Sequence, residues 1–333
     1  MPALEMVLPG PVEPEGLLAQ RKPVPRPAPH EALVEVEAAG MSFDDMLMRR
    51  GACLDRRTYP MVPGRDLAGV VTAVGGAADP SLVGRRVAAV VPGGAWATHV
   101  TVAVDALTPV PGTLGPVEAV ALAYPGVLAS HLLHDVAGVR PGQVVVVPGA
   151  PGWAGTTLVQ LALQAGARVI GISSTRQLAG TTDLDFAPVD HWTEDVTARV
   201  LQLAPGGADA VFDNIGGPNL ADSWEQLNAS GILVSYGNNA TRDTVVDQAA
   251  LRDRFGAWTA ASPGRRAVTA GLFADGPPAN TVLSGLFAAA AEGRLRPYVA
   301  ATHPLADAAA ALREFEAGGQ VGRVVLTVQR RDR

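Results

Sequence analysis

The sequence predicts a two-domain α/β chain, with a β-rich domain split in sequence around an inserted doubly wound parallel sheet. Three observations carry this. Short alternating strands broken by Gly and Pro fill the first third. From about residue 118, apolar strands alternate with helical patterns. A last apolar stretch, 321–328, returns to strand grammar after two helices. A length of 333 residues suits two domains of roughly 150 residues each.

Composition narrows the function. Lys and Arg number 26 and Asp and Glu 32, a net charge of −6, which argues against a nucleic-acid binder with a basic face. Cys53 is the single cysteine, so an intrachain disulfide framework and multi-cysteine zinc sites are excluded. The one lysine, Lys22, lies in a proline-rich run, which argues against Schiff-base chemistry. No apolar run reaches the roughly 18 residues of a membrane span. No charged segment followed by an apolar core opens the chain. A soluble, cytoplasmic protein is the expectation.

Residues 32–37, 68–74, 86–91 and 96–104 alternate as half-buried strands do. Pro63-Gly64, Gly75-Gly76, Pro92-Gly93-Gly94 and Pro111-Gly112 mark turns between them. Such spacing suggests a barrel or sandwich. The proline run 23–29 reads as an extended connector rather than an SH3-type ligand. Residues 118–137 show helical spacing. The run 143–148 is apolar throughout, as a strand buried on both faces is. A glycine-rich turn at 149–155 and a helix at 155–165 follow, with Gly166 at the helix end. Strands are predicted at 168–172, 208–213 and 231–236, with a helix at 219–228 between the last two. Helices at 281–292 and 305–317 precede the final strand. The expected division is 1–120 and 266–333 for the split domain, and 121–265 for the insertion.

The turn Gly149-Ala150-Pro151-Gly152-Trp153-Ala154-Gly155 joins a strand to a helix, the setting of a dinucleotide fingerprint. Gly152 lets the backbone approach a pyrophosphate, and Gly155 lets the helix pack on the strand. The helix N-terminus then offers N–H groups and a positive dipole end. Ala150 replaces the first glycine of the strict G-x-G-x-x-G pattern. Cofactor contacts are expected from Ala150, Gly152, Trp153, Ala154 and Gly155. At the end of the second strand, an NAD site carries an acidic residue for the ribose. Here the residues are Ser173, Ser174, Thr175 and Arg176. Two hydroxyls and a forked guanidinium suit a 2′-phosphate, so NADPH is expected over NADH. Asn214, Gly237 and Asn238 follow strand ends, where open sheets bind ligands.

These residues resemble the zinc-independent branch of the medium-chain dehydrogenase/reductases, which holds quinone oxidoreductases and enoyl reductases. Residues 59–71 follow its Y-P-x-V-P-G-x-D-x-A-G-x-V pattern, and 39–45 follow A-G-x-N-x-x-D. Segments 83–87, 149–162, 209–217 and 321–326 resemble further family segments. The resemblance implies a GroES-like barrel domain around a Rossmann domain and NADPH. It also implies hydride delivery to an electron-poor alkene or quinone, and commonly a homodimer. Gly64-Arg65-Asp66 stands where zinc relatives carry G-H-E, so no metal is expected. His131 and His134 form an i, i+3 pair without an evident third ligand, and read as structural.

Departures from the family cluster at its nicotinamide pocket. Ser42 replaces an Asn. Leu128 replaces a Thr that lies beside the nicotinamide. Cys53 fills a slot where many enoyl reductases carry a Tyr proposed as proton donor. Arg323 replaces a C-terminal Lys and joins the expected cofactor contacts with Leu128. Drift, an altered substrate pocket and loss of catalysis are the competing readings, and the altered pocket is favoured. Candidate catalytic residues are Cys53, Asp45, Ser42 and Tyr59. Phe43, Met46, Tyr124, His131, Phe255 and Trp258 are candidates for the substrate pocket. The expected activity is NADPH-dependent reduction of a conjugated C=C in an enone, enoyl or polyketide-like substrate, with ring closure as a biosynthetic variant. A quinone reductase and a non-catalytic NADPH-binding protein are the alternatives.

Overall fold

The computed structural model describes residues 2–52, 58–241 and 246–328. Strands β1 (Ala3–Val7) and β2 (Leu18–Lys22) pair as an antiparallel hairpin. The proline run joins β2 to β3 (Glu31–Gly40) without regular structure. Helix α1 (Phe43–Arg50) comes next, then β4 (Asp66–Val74), β5 (Arg86–Val90), β6 (His99–Ala103) and β7 (Thr108–Pro109). Helix α2 (Pro116–Ser130) continues into a π-helical turn, His131–Val136. Then β and α alternate: β8 (Val144–Pro148), α3 (Gly155–Gln164), β9 (Arg168–Ser173), α4 (Thr175–Ala179), β10 (Ala187–Asp190) and α5 (Val196–Leu203). The series goes on with β11 (Ala208–Asp213), α6 (Asn219–Glu225), β12 (Leu227–Ser235), α7 (Gln248–Ala261), β13 (Arg266–Thr269) and α8 (Leu272–Asp275). The chain ends with α9 (Ala279–Ala291), β14 (Val299–Pro304), α10 (Ala308–Ala317) and β15 (Arg323–Thr327).

Two units result. One holds Met1–Val127, Pro277–Gly318 and Gly322–Arg333; the other holds Leu128–Gly276 with Gly319–Val321. The first unit is built on a sheet of order β14-β15-β3-β4-β5-β7, with β6 also on β3. Its core gathers the inward residues of those strands around Trp96, whose indole N–H donates to the Gly40 carbonyl at 3.0 Å. The second unit is a parallel sheet of order β10-β9-β8-β11-β12-β13. Its first strand is central, and the order reverses between β8 and β11. That reversal is the switch point outside which doubly wound sheets bind ligands. Val145, Val146 and Val147 of β8 are fully buried, as their continuous apolar run requires.

Several expectations are corrected. The expected boundary at 265 would cut β13 from its sheet; the second unit runs to Gly276. The hairpin β1–β2, the edge strands β10 and β14, and helices α5 and α7 had no clear signal in the pattern. The helix expected at 219–228 stops at Glu225, because β12 begins at Leu227 and pairs with β11 through a register shift. Contrary to the reading of apolar runs, Pro116–Val136 is long and apolar enough to cross a membrane by length and composition. Of that window, 78% is buried inside the protein, as in a core helix.

Candidate functional site

In the first unit, chemistry-bearing residues gather where α1 begins. Ser42 is extended and caps α1; its backbone N–H and hydroxyl both donate to Asp45 Oδ2, at 2.8 and 2.7 Å. The Gly64 N–H donates to Asp45 Oδ1 at 2.8 Å. Gly64 has φ of 96°, and a Cβ there would lie 2.5 Å from the Trp96 ring, so only glycine suits this turn. Asp45 thus pins the Pro63-Gly64 turn onto the helix. Both its oxygens are engaged and it is buried, and burial pushes its carboxyl up. The catalytic roles expected for Ser42 and Asp45 are therefore corrected to capping and turn-pinning. Tyr59, half-buried, donates its hydroxyl to the Met48 carbonyl. Cys53 lies outside the described residues.

Beside that cap, the Tyr124 hydroxyl donates to Asp44 Oδ2 at 2.7 Å, and Arg65 Nε approaches the same oxygen at 3.3 Å. Arg65 also donates to the Pro92 carbonyl at 2.7 Å. Burial and the Asp44 charge push the Tyr124 phenol well above its ordinary value, so it stays neutral. Sequence reasoning missed Asp44 and Arg65, because both stand at positions where the family pattern has an x. Phe43 and the buried Met46 pack with Leu47, Ala52 and Phe315 in a small apolar cluster.

Arg323 needs a second correction. It is fully buried on β15, with Nη2 donating to Asp66 Oδ1 at 2.6 Å. Asp66 Oδ2 accepts the Tyr124 backbone N–H at 2.9 Å. Burial pushes the Asp66 carboxyl up to about 6, against the pull of Arg323. An arginine committed to a buried carboxylate is a structural ion pair and does not reach a cofactor. Glycine at position 40 makes the pair possible, since a Cβ there would lie 2.0 Å from Arg323 Nη2.

In the second unit, the carboxyl ends of β8, β9, β11 and β12 carry the expected cofactor residues. Gly149 has φ of 70°, and Gly152 N–H donates back to its carbonyl at 2.8 Å. A Cβ on Gly155 would lie 2.2 Å from that carbonyl oxygen, so the helix starts this close to the strand only with glycine. Ala150 is fully buried and, unlike Gly149, has a negative φ, so a methyl group is tolerated there. No side chain caps α3, which begins at Ala154 and Gly155; the Thr156 N–H donates to the Gly152 carbonyl at 3.1 Å, and the positive end of the helix dipole lies at this turn, where an anion is favoured. Trp153 follows Gly152 in the same turn and is half-buried.

The Ser173 and Ser174 hydroxyls both donate to Gln177 Oε1, at 2.9 and 3.1 Å, and Gln177 Nε2 donates to the Gln320 carbonyl at 2.9 Å. Gln177 is invisible to motif reading because it ties the adjacent Ser173 and Ser174 to the distant Gln320. Arg176 is exposed on α4. The sequence reading found no carboxylate here, yet Asp190, opposite Ser173 across the β9–β10 pairing, accepts the Thr175 hydroxyl. That hydrogen bond holds its carboxyl below the ordinary value. Asn214 and Asn238 flank a tight approach of two loops: a Cβ on Gly237 would lie 2.6 Å from the Asn214 carbonyl oxygen. Asn214 Oδ1 and Asn238 Nδ2 are buried without a hydrogen-bond partner. These orphaned atoms and the uncapped helix fit a dinucleotide along this edge.

Leu128 and His131 are buried on α2 and its π-helical turn; His131 Nδ1 lies 3.0 Å from Asp135. Phe255 and Trp258 are corrected. Phe255 packs in the core of the second unit, and the partly buried Trp258 packs against it, stacked on Trp224 at 5.4 Å between ring centroids. Among the described residues no group of three or more His, Cys, Asp or Glu is placed to hold a metal ion.

The chain matches the "Alcohol dehydrogenase GroES-like domain" family over residues 28–112 and the "Zinc-binding dehydrogenase" family over 183–326. It is 32% identical to a probable quinone oxidoreductase of Schizosaccharomyces pombe, over 65% of this chain and 66% of that protein. It is 28% identical to a phenolphthiocerol/phthiocerol polyketide synthase chain of Mycobacterium tuberculosis, over 91% of this chain and 14% of that protein. A mycobacterial protein solved in complex with NADPH superposes with a TM-score of 0.86 at 28% identity, over 98% of this chain and 99% of the other. With its split GroES-like unit, its inserted parallel sheet and Gly64-Arg65-Asp66 where zinc relatives carry G-H-E, the chain belongs to the zinc-independent medium-chain dehydrogenase/reductases, in their quinone oxidoreductase-like branch.

Proposed function

We propose that the protein is an NADPH-dependent reductase of an electron-poor conjugated C=C, in an enone, enoyl or polyketide-like substrate. The observation that carries this reading is the carboxyl edge of the parallel sheet. There an uncapped helix N-terminus follows a glycine turn, and two hydroxyls and the Arg176 side chain end the neighbouring strand and start its helix. Similarity to a quinone oxidoreductase and to a polyketide synthase supports the class of acceptor.

NADPH, when bound, supplies the hydride, which adds to the β-carbon of the substrate and leaves an enolate. The chain does the rest by binding and orientation. The α3 N-terminus takes the pyrophosphate, with Gly152 keeping a side chain out of its way and Gly155 letting the helix start close to the strand. Arg176 takes the 2′-phosphate in forked geometry. Ser173 and Ser174 join it by turning their hydroxyls from Gln177. Asn214 and Asn238 offer an acceptor and a donor toward the nicotinamide end. The proton for the enolate comes from solvent or from Cys53. A homodimer and a cytoplasmic location complete the reading.

The test is NADPH oxidation with a panel of enones, enoyl thioesters and quinones, with products identified by mass. Turnover with enones or enoyl thioesters is expected, and Arg176→Ala should weaken NADPH binding about tenfold while leaving NADH unchanged. Reduction of quinones alone would move the reading to a quinone reductase. Tight NADPH binding without transfer to any acceptor would move it to a non-catalytic binding protein.

A further inference from the structure

Tyr124, Asp44 and Arg65 form a polar group in the first unit that hydride delivery as described above leaves unused. Of the three, only Asp44 is open to a ligand: 29% of its side chain is exposed, against 3% for Arg65, and Tyr124 is buried. The two Asp44 oxygens differ. Oδ2 accepts the Tyr124 hydroxyl at 2.7 Å and lies 3.3 Å from Arg65 Nε. Oδ1 takes no hydrogen bond among the described residues. Both partners of Oδ2 are themselves held. The Tyr124 backbone N–H donates to the buried Asp66, and Arg65 donates to the Pro92 carbonyl. Two buried groups therefore fix the direction of the carboxylate, and its second oxygen is an oriented acceptor.

The surroundings say what that acceptor suits. Asp44 and Arg65 cancel in charge, and the phenol is neutral, so the group has no net charge. A cation would meet the Arg65 charge, and an anion would meet Asp44 itself. A neutral O–H donor gains a charge-assisted bond against neither opposition. Phe43, the preceding residue on α1, is half-buried against Met46, Leu47 and Ala52. One placed acceptor with apolar surface on the same helix turn is the mixture that small-molecule sites use. Asp44 and Arg65 also fall where the family pattern fixes no residue, so the pair serves this chain's own substrate rather than the shared chemistry. We propose that Asp44 is a specificity-determining residue, whose Oδ1 accepts a hydroxyl carried by the conjugated substrate. Tyr124 and Arg65 are the positioning residues that aim it. The inference rests on the functional reading above and narrows its acceptors to hydroxylated enones and enoyl compounds. An acceptor built for a substrate hydroxyl discriminates against the analogue that lacks it, because the site is then left unpaired.

The probes are straight-chain enones of one length with a hydroxyl at the γ, δ or ε carbon. Each is paired with the parent that lacks the hydroxyl and with its methyl ether. The full chain is assayed with NADPH, and kcat/KM is compared within each pair. The wild type should prefer at least one hydroxylated member over its parent and its ether by about ten- to a hundredfold, as one hydrogen bond to a charged group allows. Asp44→Asn keeps the size of the side chain and an oxygen for Tyr124, and should reduce that preference about tenfold. Tyr124→Phe frees the carboxylate to turn and should reduce it by a smaller factor. A merely structural role would slow both members of a pair together and leave their ratio where it was. Equal rates within every pair in the wild type would overturn the proposal. So would a preference that survives unchanged in Asp44→Asn. If the wild type reduces quinones but no enone, or binds NADPH and reduces neither, the functional reading itself fails and the inference falls with it.

Discussion

At the scale of single residues, the Asp66–Arg323 pair shows how a family position changes its use. Both side chains are fully buried, so removing one partner leaves an uncompensated charge. Arg323→Met should destabilise the protein by about 3–5 kcal/mol in denaturant unfolding. Asp66→Asn tests the carboxyl separately. Asp66 binds its proton more tightly in the folded state, about 6 against 3.8. Its contribution to stability is therefore complete below 3.8 and is lost as pH rises through about 6. A pH series of unfolding curves should show that decline in the wild type and its absence in Asp66→Asn. Ser42→Ala removes one donor to Asp45 and the cap of α1 and should cost about 1 kcal/mol. Activity at saturating substrate should remain near that of the wild type, because Ser42 acts through the helix.

At the scale of elements, what was legible follows from how local the signal is. Strand β8 is legible because a strand buried on both faces is apolar throughout, and β9 and β11 because their central residues are buried and apolar. The glycine turn was legible because backbone contacts dictate its residues: the Gly155 Cβ would collide with the Gly149 carbonyl oxygen. Gly155→Ala should accordingly reduce NADPH affinity at least tenfold and destabilise by roughly 1–3 kcal/mol, measured by titration and by unfolding. The edge strands were hidden, since β10 and β14 are short and half-exposed and carry little periodicity. Hidden too were the groups whose partners come from distant segments. Gln177 bonds to residues three and four positions away and to Gln320, and Asp190 meets Thr175 across a strand pairing. Phe255 and Trp258 read as pocket residues because aromatic composition does not say which face of a helix is turned inward. Polar residues near α1 read as catalytic because a capping carboxylate and a catalytic one look alike in one dimension.

At the scale of the whole molecule, ligand binding and stability are linked. Any ligand that binds only the folded chain raises its unfolding free energy by mass action. NADPH at about a hundred times its Kd should add roughly 2.7 kcal/mol, read as a rise in melting temperature. NADH at the same concentration should add less, because it has no group for Arg176.

The pairing of β15 with β3 also has a consequence for synthesis. The final strand supplies both a neighbour for residues 38–40 and the only guanidinium bonded to Asp66 among the described residues. While the chain is being made, the first unit must wait for everything between them, including the whole parallel sheet, to emerge. Until then β3 offers an open edge, and a carboxylate destined for the interior has no counter-charge. The inserted unit, whose strands all come from one stretch of chain, is free to fold first. The nucleotide edge is therefore complete, apart from the Gln320 tether, before the unit that frames it in sequence has closed.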